Sequence, residues 1–181
     1  SMHGSTDGGK VDETTPVFPL TPYGTSKIRT EEQIGAMAVP GFSPIFMRNG
    51  TVYGVSPRLR ADIVLNNLVG WAHTTGKVKL DTDGTPFRPL IHVEDVCQAF
   101  VAAMEAPEEV IHNQVFHVGS NSENYQISQL AEIVCQVVPG AEVEYVTDHE
   151  GDQRTYVADF TKIETVLDKF QPKWTAETGA R

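Results

Sequence analysis

Cysteine is nearly absent: Cys97 and Cys135 are the two in 181 residues, each inside an apolar helical pattern with no second Cys or His at zinc spacing. That excludes a disulfide framework and a cysteine-rich zinc fold, and a reduced, cytoplasmic chain is the simplest expectation. Positive charge is also scarce. Lys and Arg number 14 against 24 Asp and Glu, for a formal charge of -10, which makes nucleic acid and acidic membrane surfaces unexpected partners. No apolar run approaches the roughly 18 residues of a bilayer span, so no membrane partner is expected. The 15 glycines never fall into G-x-G-x-x-G between a strand and a helix, nor into a G-K-[ST] loop, so no phosphate cradle of those types is expected. His3, His73, His112, His117 and His149 are scattered without i, i+4 pairing, and no metal site is expected.

The apolar fraction is 40%, enough for one domain with a sizeable core. Ser1 to Pro22 lacks periodicity and reads as an irregular surface segment without the apolar centre of a signal peptide. From Thr21, a capping residue followed by Pro22, apolar residues recur at helical intervals through Ile28, Ile34 and Met37, predicting a helix from Pro22 to about Val39. Phe42 to Arg48 has strand length and is followed by a turn-rich Asn49-Gly50. Helices are predicted over 61–75, 94–106, 127–138 and 160–170, and strands over 77–80, 114–119 and 142–146. Alternation of this kind indicates an α/β protein. Neither an internal repeat nor a low-complexity tract is present.

Tyr23 and Lys27 stand four apart at the start of the first helix, so both project from one face. A lysine cation there stabilises a phenolate and draws a phenol, ordinarily ionising near about 10, toward use as a general base at neutral pH. The alternative is an ordinary surface pair, because Tyr-x-x-x-Lys recurs by chance in many helices.

The surroundings of that pair carry more. Pro22-Tyr23-Gly24-Thr25-Ser26-Lys27 is followed by Met47-Arg48-Asn49-Gly50-Thr51-Val52-Tyr53-Gly54, then by Phe87-Arg88-Pro89-Leu90-Ile91-His92-Val93-Glu94-Asp95-Val96. Phe116-His117-Val118-Gly119, Gly151-Asp152-Gln153-Arg154 and Phe170-Gln171-Pro172-Lys173-Trp174 come after them. In order and spacing these segments resemble the extended short-chain dehydrogenase/reductases, the NAD-dependent epimerase/dehydratases that act on nucleotide sugars. The resemblance implies Tyr23 as catalytic base, and Lys27 as the residue that holds the nicotinamide ribose and favours the Tyr23 phenolate. It places Thr51, Val52 and Tyr53 beside the cofactor, and Asn67, Arg88 and Arg154 on the nucleotide and its diphosphate. A guanidinium suits that task, since it donates two parallel hydrogen bonds to a phosphate. Structural roles stand beside these: Arg88 could pair with the Asp81/Asp83 turn, Arg154 with Asp152 or Glu150, and Asn67 could cap a bend. His92 and Asp95 read as structural, Asp95 lying in the first turn of a helix.

Family members open with a Gly-rich strand-turn-helix and several further βα units, which these 181 residues do not contain. The expectation is therefore a C-terminal half: the rear of a Rossmann-like parallel sheet plus the small substrate-binding lobe, without the N-terminal Gly-rich βαβ half. Residues 1–55 would be the remnant of the Rossmann-like domain, and 56–181 mainly the substrate lobe with returns to the first part. Ser1-Met2-His3-Gly4 resembles the tail of the family's S-x-x-S-V-Y-G segment, which would put the third catalytic hydroxyl ahead of residue 1, and Ser5 and Thr6 on the wrong side to replace it. The implied activity is NAD- or NADP-dependent epimerisation, dehydration or reduction of a nucleotide sugar, with weak or no cofactor binding by this chain alone. The alternative is a non-catalytic nucleotide-sugar binding or oligomerisation module. An uncovered sheet is expected to drive homo-oligomerisation through Ile28, Ile34 and Met37 and through Val64, Leu68 and Trp71.

Overall fold

The computed structural model describes residues 2–3, 9–146 and 154–181. Ser1, Gly4, Ser5, Thr6, His149, Glu150 and Gly151-Asp152-Gln153 lie outside the described residues.

In chain order the elements are β1 (Lys10–Val11), α1 (Pro22–Gly35), β2 (Ile45–Asn49), β3 (Thr51–Tyr53), α2 (Val64–Thr75), β4 (Lys77–Leu80), β5 (Phe87–His92) and α3 (Val93–Glu105). They continue with α4 (Glu108–Ile111), β6 (Gln114–Val118), β7 (Asn124–Gln126), α5 (Ile127–Val137), β8 (Glu142–Tyr145), β9 (Val157–Ala158), α6 (Thr161–Val166) and α7 (Ala176–Ala180). The strand pairs β1–β9, β2–β6, β3–β5 and β4–β8 are parallel, and β5–β7 is antiparallel. This is an α/β architecture with parallel ladders, as the alternation of elements predicts.

Two apolar cores lie on either side of β5. The first gathers Ile91, Val96, Ala99 and Ala103 with Phe116, Val118, Phe160 and Ile163. The second gathers Leu65, Leu68, Ala72, Val78 and Leu80 with Leu90, Leu130 and Val134. Consecutive strand residues point to opposite faces, so Leu90 enters one core and Ile91 the other.

β5 also changes partners along its length. β7 pairs with Phe87–Pro89 and β3 with Leu90–His92. Proline has no N–H for a ladder, and Pro89 falls where one pairing ends and the other begins, which lets it sit inside a central strand. A second handover occurs at Asn49-Gly50, which forms no turn. The Gly50 N–H donates to the Val118 carbonyl at 2.9 Å, so the β2–β6 ladder runs on until the chain steps across to β5 as β3. A Cβ on Gly50 would stand 3.3 Å from the Pro89 carbonyl oxygen, tighter than usual.

Four further expectations are corrected. The N-terminal stretch is not all surface: β1 pairs with β9, and Val11 is 1% exposed in the first core. The first helix ends at Gly35 rather than Val39, because Val39 and Phe42 exchange backbone hydrogen bonds around Pro40-Gly41 and close a turn. The last long helix ends at Val166, and the chain beyond it bends so that both Leu167 and Phe170 drop into the first core. Leu68 is buried in the second core, so it is not part of an outer apolar face, whereas Trp71 is 39% exposed.

Two buried carboxylates fasten the C-terminal segment. Asp95 accepts the Lys173 and Trp174 N–H groups, each at 3.0 Å. Glu123 accepts the Ala176 N–H at 2.8 Å and the Tyr125 hydroxyl at 3.0 Å, and burial raises its pKa. The His92 ring stacks on Trp174 at 4.1 Å between centroids. His92 and Asp95 thus have the structural work expected of them. Asp95→Ala removes two charge-assisted acceptors and leaves two peptide N–H groups without partners. We expect a loss of about 2–4 kcal/mol, read as a lowered urea midpoint, and a larger loss than for the exposed Asp168→Ala.

Candidate functional site

Local chemistry sets the start of α1. The Thr21 hydroxyl accepts the Gly24 N–H at 3.1 Å, and Pro22 occupies the first turn. This presents Tyr23 and Lys27 one turn apart. The Lys27 ammonium stands over the Tyr23 ring, 5.3 Å from its centroid, and Tyr23 is 61% exposed. The next turn brings Glu31 onto the same face. It grips Arg48 at the end of β2 in a two-pronged ion pair, Nε to Oε2 at 3.1 Å and Nη2 to Oε1 at 2.5 Å.

A cleft of about 1250 Å³ opens beneath this face, larger than the roughly 300–1,000 Å³ typical of a small-ligand pocket. Tyr23, Lys27, Thr51, Val52, Tyr53, Asn67, Arg88 and Arg154 all border it. Their immediate partners differ. Thr51 and Val52 are half-buried along β3. Tyr53 is 2% exposed, its ring edge-on to His92 at 5.2 Å and its hydroxyl without a partner among the described residues, so its side chain serves the second core. Asn67 donates through Nδ2 to the Ala61 carbonyl at 3.1 Å and so braces the bend before α2. Arg88 donates through Nη1 to the Phe87 carbonyl at 2.9 Å and also to the Arg154 carbonyl. The two arginines, 66 positions apart, are therefore neighbours.

Sequence reasoning missed several residues of this cleft. Asn66 accepts the Gly54 N–H at 3.1 Å and donates to the Arg60 carbonyl at 3.1 Å, tying the end of β3 to the loop before α2. Gly54 has φ +104°, and a Cβ there would fall 2.3 Å from His92 Nε2, so only glycine fits. Arg60 grips Asp62 through Nε and Nη2 at 2.8 and 2.6 Å and holds its carboxyl down to about 2. The Lys79 ammonium sits over Trp71 at 4.6 Å.

His3 and His117 meet at the cleft wall with Nε2 atoms 3.0 Å apart. They lie 114 positions apart, and no sequence spacing signals the pair. Burial lowers both pKa values from 6.5 to about 4, with added repulsion from Arg48 and, for His3, from His117. Among the described residues no group of three metal-ligating side chains is present.

The cleft can hold anions with its arginines and place a phenol and an ammonium side by side. As for NAD, the donors of Lys27 and Tyr23 suit a ribose. Among the described residues no helix opens on a Gly-rich loop that would receive the pyrophosphate.

The profile of the NAD dependent epimerase/dehydratase family matches residues 1–119. The chain belongs to that family. It is 28% identical over 167 residues to a dTDP-glucose 4,6-dehydratase of Actinoplanes sp., covering 90% of this chain and 50% of the relative. A UDP-glucose 4-epimerase of Corynebacterium glutamicum is 27% identical over 192 residues, covering 98% of this chain and 56% of that protein. The solved structure of MoeE5 in complex with UDP-glucuronic acid and NAD superposes with a TM-score of 0.82 at 26% identity, over 99% of this chain and 59% of MoeE5. The chain thus spans about half the length of the curated relatives it matches, and the resemblance to one half of the family fold is shown.

The histidine pair sets an acid limit. In the unfolded chain each imidazole takes a proton near 6.5, whereas in the fold each resists until about 4. The unfolded state then binds more protons across that interval, so stability is full above about 6.5 and falls as pH drops toward 4. Burial depresses His92 in the same sense. Urea midpoints measured at pH 7 and pH 5 should fall for the native chain and fall less for His3→Asn; equal falls would remove the pair as the cause.

Proposed function

We propose that this chain forms the substrate side of an NAD(P)-dependent enzyme that epimerises, dehydrates or reduces a nucleotide sugar, with the Gly-rich half of the cofactor site outside these 181 residues. The observation that carries the reading is the convergence of Tyr23, Lys27, Arg88 and Arg154 on one large cleft. The solved relatives support it, since MoeE5 holds UDP-glucuronic acid and NAD.

On this reading the residues divide the work. Arg88 and Arg154 grip the diphosphate by charge-assisted hydrogen bonds, and Asn67 abuts the nucleotide. Tyr23, as phenolate, takes the proton from a sugar hydroxyl. The Lys27 ammonium favours negative charge on that ring and donates to a ribose hydroxyl, while Thr51 and Val52 wall the same space. NAD(P), when bound, supplies the hydride chemistry at the carbon that bears the hydroxyl. Residues 1–55 contribute the face that carries Tyr23 and Lys27, and 56–181 mainly the substrate lobe.

Self-association belongs to the same reading. Trp71 on α2 and Met37, 61% exposed beyond α1, are apolar positions open to a second copy. Light scattering should return a dimer that Trp71→Glu weakens; a clean monomer at high concentration would remove this part.

Calorimetric titration with UDP, dTDP and GDP tests the site. Weak binding is expected to the native chain, reduced about tenfold or more in Arg88→Ala and in Arg154→Ala, as the loss of a charge-assisted contact requires. In the same series NAD should bind very weakly or not at all. Diphosphate binding that survives both substitutions unchanged rejects the reading.

A further inference from the structure

His3 and His117 are buried, titratable side chains for which the proposed function has no use. His3 is 6% and His117 3% exposed, and both border the cleft. His117 is next to last in β6, beside Arg48 of β2 in the parallel register. The pair therefore stands at the carboxyl ends of two parallel strands, where α/β sheets hold their ligands.

The state of the two rings follows from their partners. A carbonyl oxygen only accepts, so the contact of His117 Nδ1 with the Asp159 carbonyl at 3.3 Å puts the proton of that ring on Nδ1 and a lone pair on Nε2. That lone pair faces His3 Nε2 at 3.0 Å. With no cation between them, His3 must turn its one N–H to His117. Its Nδ1 is then a bare acceptor, buried with no hydrogen-bond partner among the described residues. The Pro16 carbonyl beside the ring cannot serve it, because that oxygen also only accepts. A cation held by both Nε2 atoms removes the conflict, since the His3 proton then resides on Nδ1, where a carbonyl suits it. Two imidazoles bound at about 2.0–2.1 Å to one tetrahedral metal place their nitrogens about 3.3 Å apart, close to the spacing found. A histidine that gives its other N–H to a carbonyl is the usual form of a metal ligand.

Arg48 repels a cation here, but Glu31 neutralises it, and Asp12 and Asp159 favour positive charge at His117. Both rings are neutral at pH 7, the form that binds metal.

We infer that His3 and His117 form a binding site for a borderline divalent cation, Zn2+ above all, with two imidazole ligands from the protein and water in the remaining positions. Such a site staples the segment around residue 3 to β6, 114 positions along the chain. With fewer than the three protein ligands of a catalytic zinc, it takes the ion reversibly. It stands apart from the nucleotide-sugar reading.

The chain, freed of metal by chelation and dialysis, is titrated with Zn2+ at pH 7, and the zinc-loaded form is measured by X-ray absorption. One equivalent is expected to bind and to raise the thermal midpoint, with two imidazole nitrogens at about 2.0–2.1 Å and oxygens in the rest of the shell. His3→Asn and His117→Asn each weaken that binding about tenfold or more, whereas His73→Asn and His112→Asn leave it unchanged. Circular dichroism reports whether each variant is folded. Where one is not, the spectrum of the native chain decides: a shell of oxygens alone, or a single imidazole, overturns the site. Zinc affinity that survives both His3→Asn and His117→Asn overturns it too, as does the absence of binding with Zn2+ in excess.

Discussion

The face that carries Tyr23 and Lys27 depends on one ion pair. Gly24 is the only buried residue of α1, and the helix lacks the broad apolar stripe that usually seats a helix on its core. Ile28 and Ile34 are only half-buried. What fastens it instead is the grip of Glu31 on Arg48, with side chains 17% and 13% exposed, together with close packing of Gly35 on Phe46. Tyr23, Lys27 and Glu31 follow one another at intervals of four, so a clamp at the third position fixes how the first two face the cleft. A two-pronged guanidinium–carboxylate pair fixes rotation as well as distance, which a single apolar contact would not. The arrangement leaves one demand unmet: among the described residues Arg48 Nη1 is buried without a hydrogen-bond partner.

A comparable economy governs the strand at the centre. β5 faces both cores and exchanges one partner strand for another at Pro89. Arg88, the residue before that proline, is thereby carried out to the 154–155 segment, where the Thr155 hydroxyl accepts the Phe87 N–H at 2.9 Å. Past the end of β5, Asp95 and Glu123 hold the backbone from Lys173 to Ala176 and so bring α7 onto the second core. One strand consequently sets the relation between the arginines of the cleft and the packing behind it.

The elements legible from sequence are those whose side chains repeat for two turns or more. α2, α3 and α5 show a helical apolar period, and β4, β6 and β8 are bounded by turn residues. The illegible ones lack room for a pattern. β1 and β9 have two residues each, and β3 and β7 three. They exist because partners far along the chain complete their ladders, a fact that local propensity does not encode. β5 was hidden by its own proline. At the site, the motif residues could be named because their spacing is local. Glu31 with Arg48 and His3 with His117 meet only through the fold, 17 and 114 positions apart. The clamp behind α1 and the polar wall of the cleft were therefore invisible, although Tyr23 and Lys27 were not.

Charge gives the last link between composition and site. A chain with a formal charge of -10 repels an anionic ligand at long range, but at physiological salt that repulsion is screened beyond about 8 Å. Among the described residues that border the cleft, Lys and Arg outnumber Asp and Glu, and low-dielectric walls weaken screening there. Overall composition therefore disfavours extended polyanions such as nucleic acid, whose many phosphates must meet the whole surface. It leaves open a small, compact anion that fits within one cationic pocket. The same sequence that reads as acidic in total is, among the described residues of the cleft that Tyr23 and Arg88 share, basic.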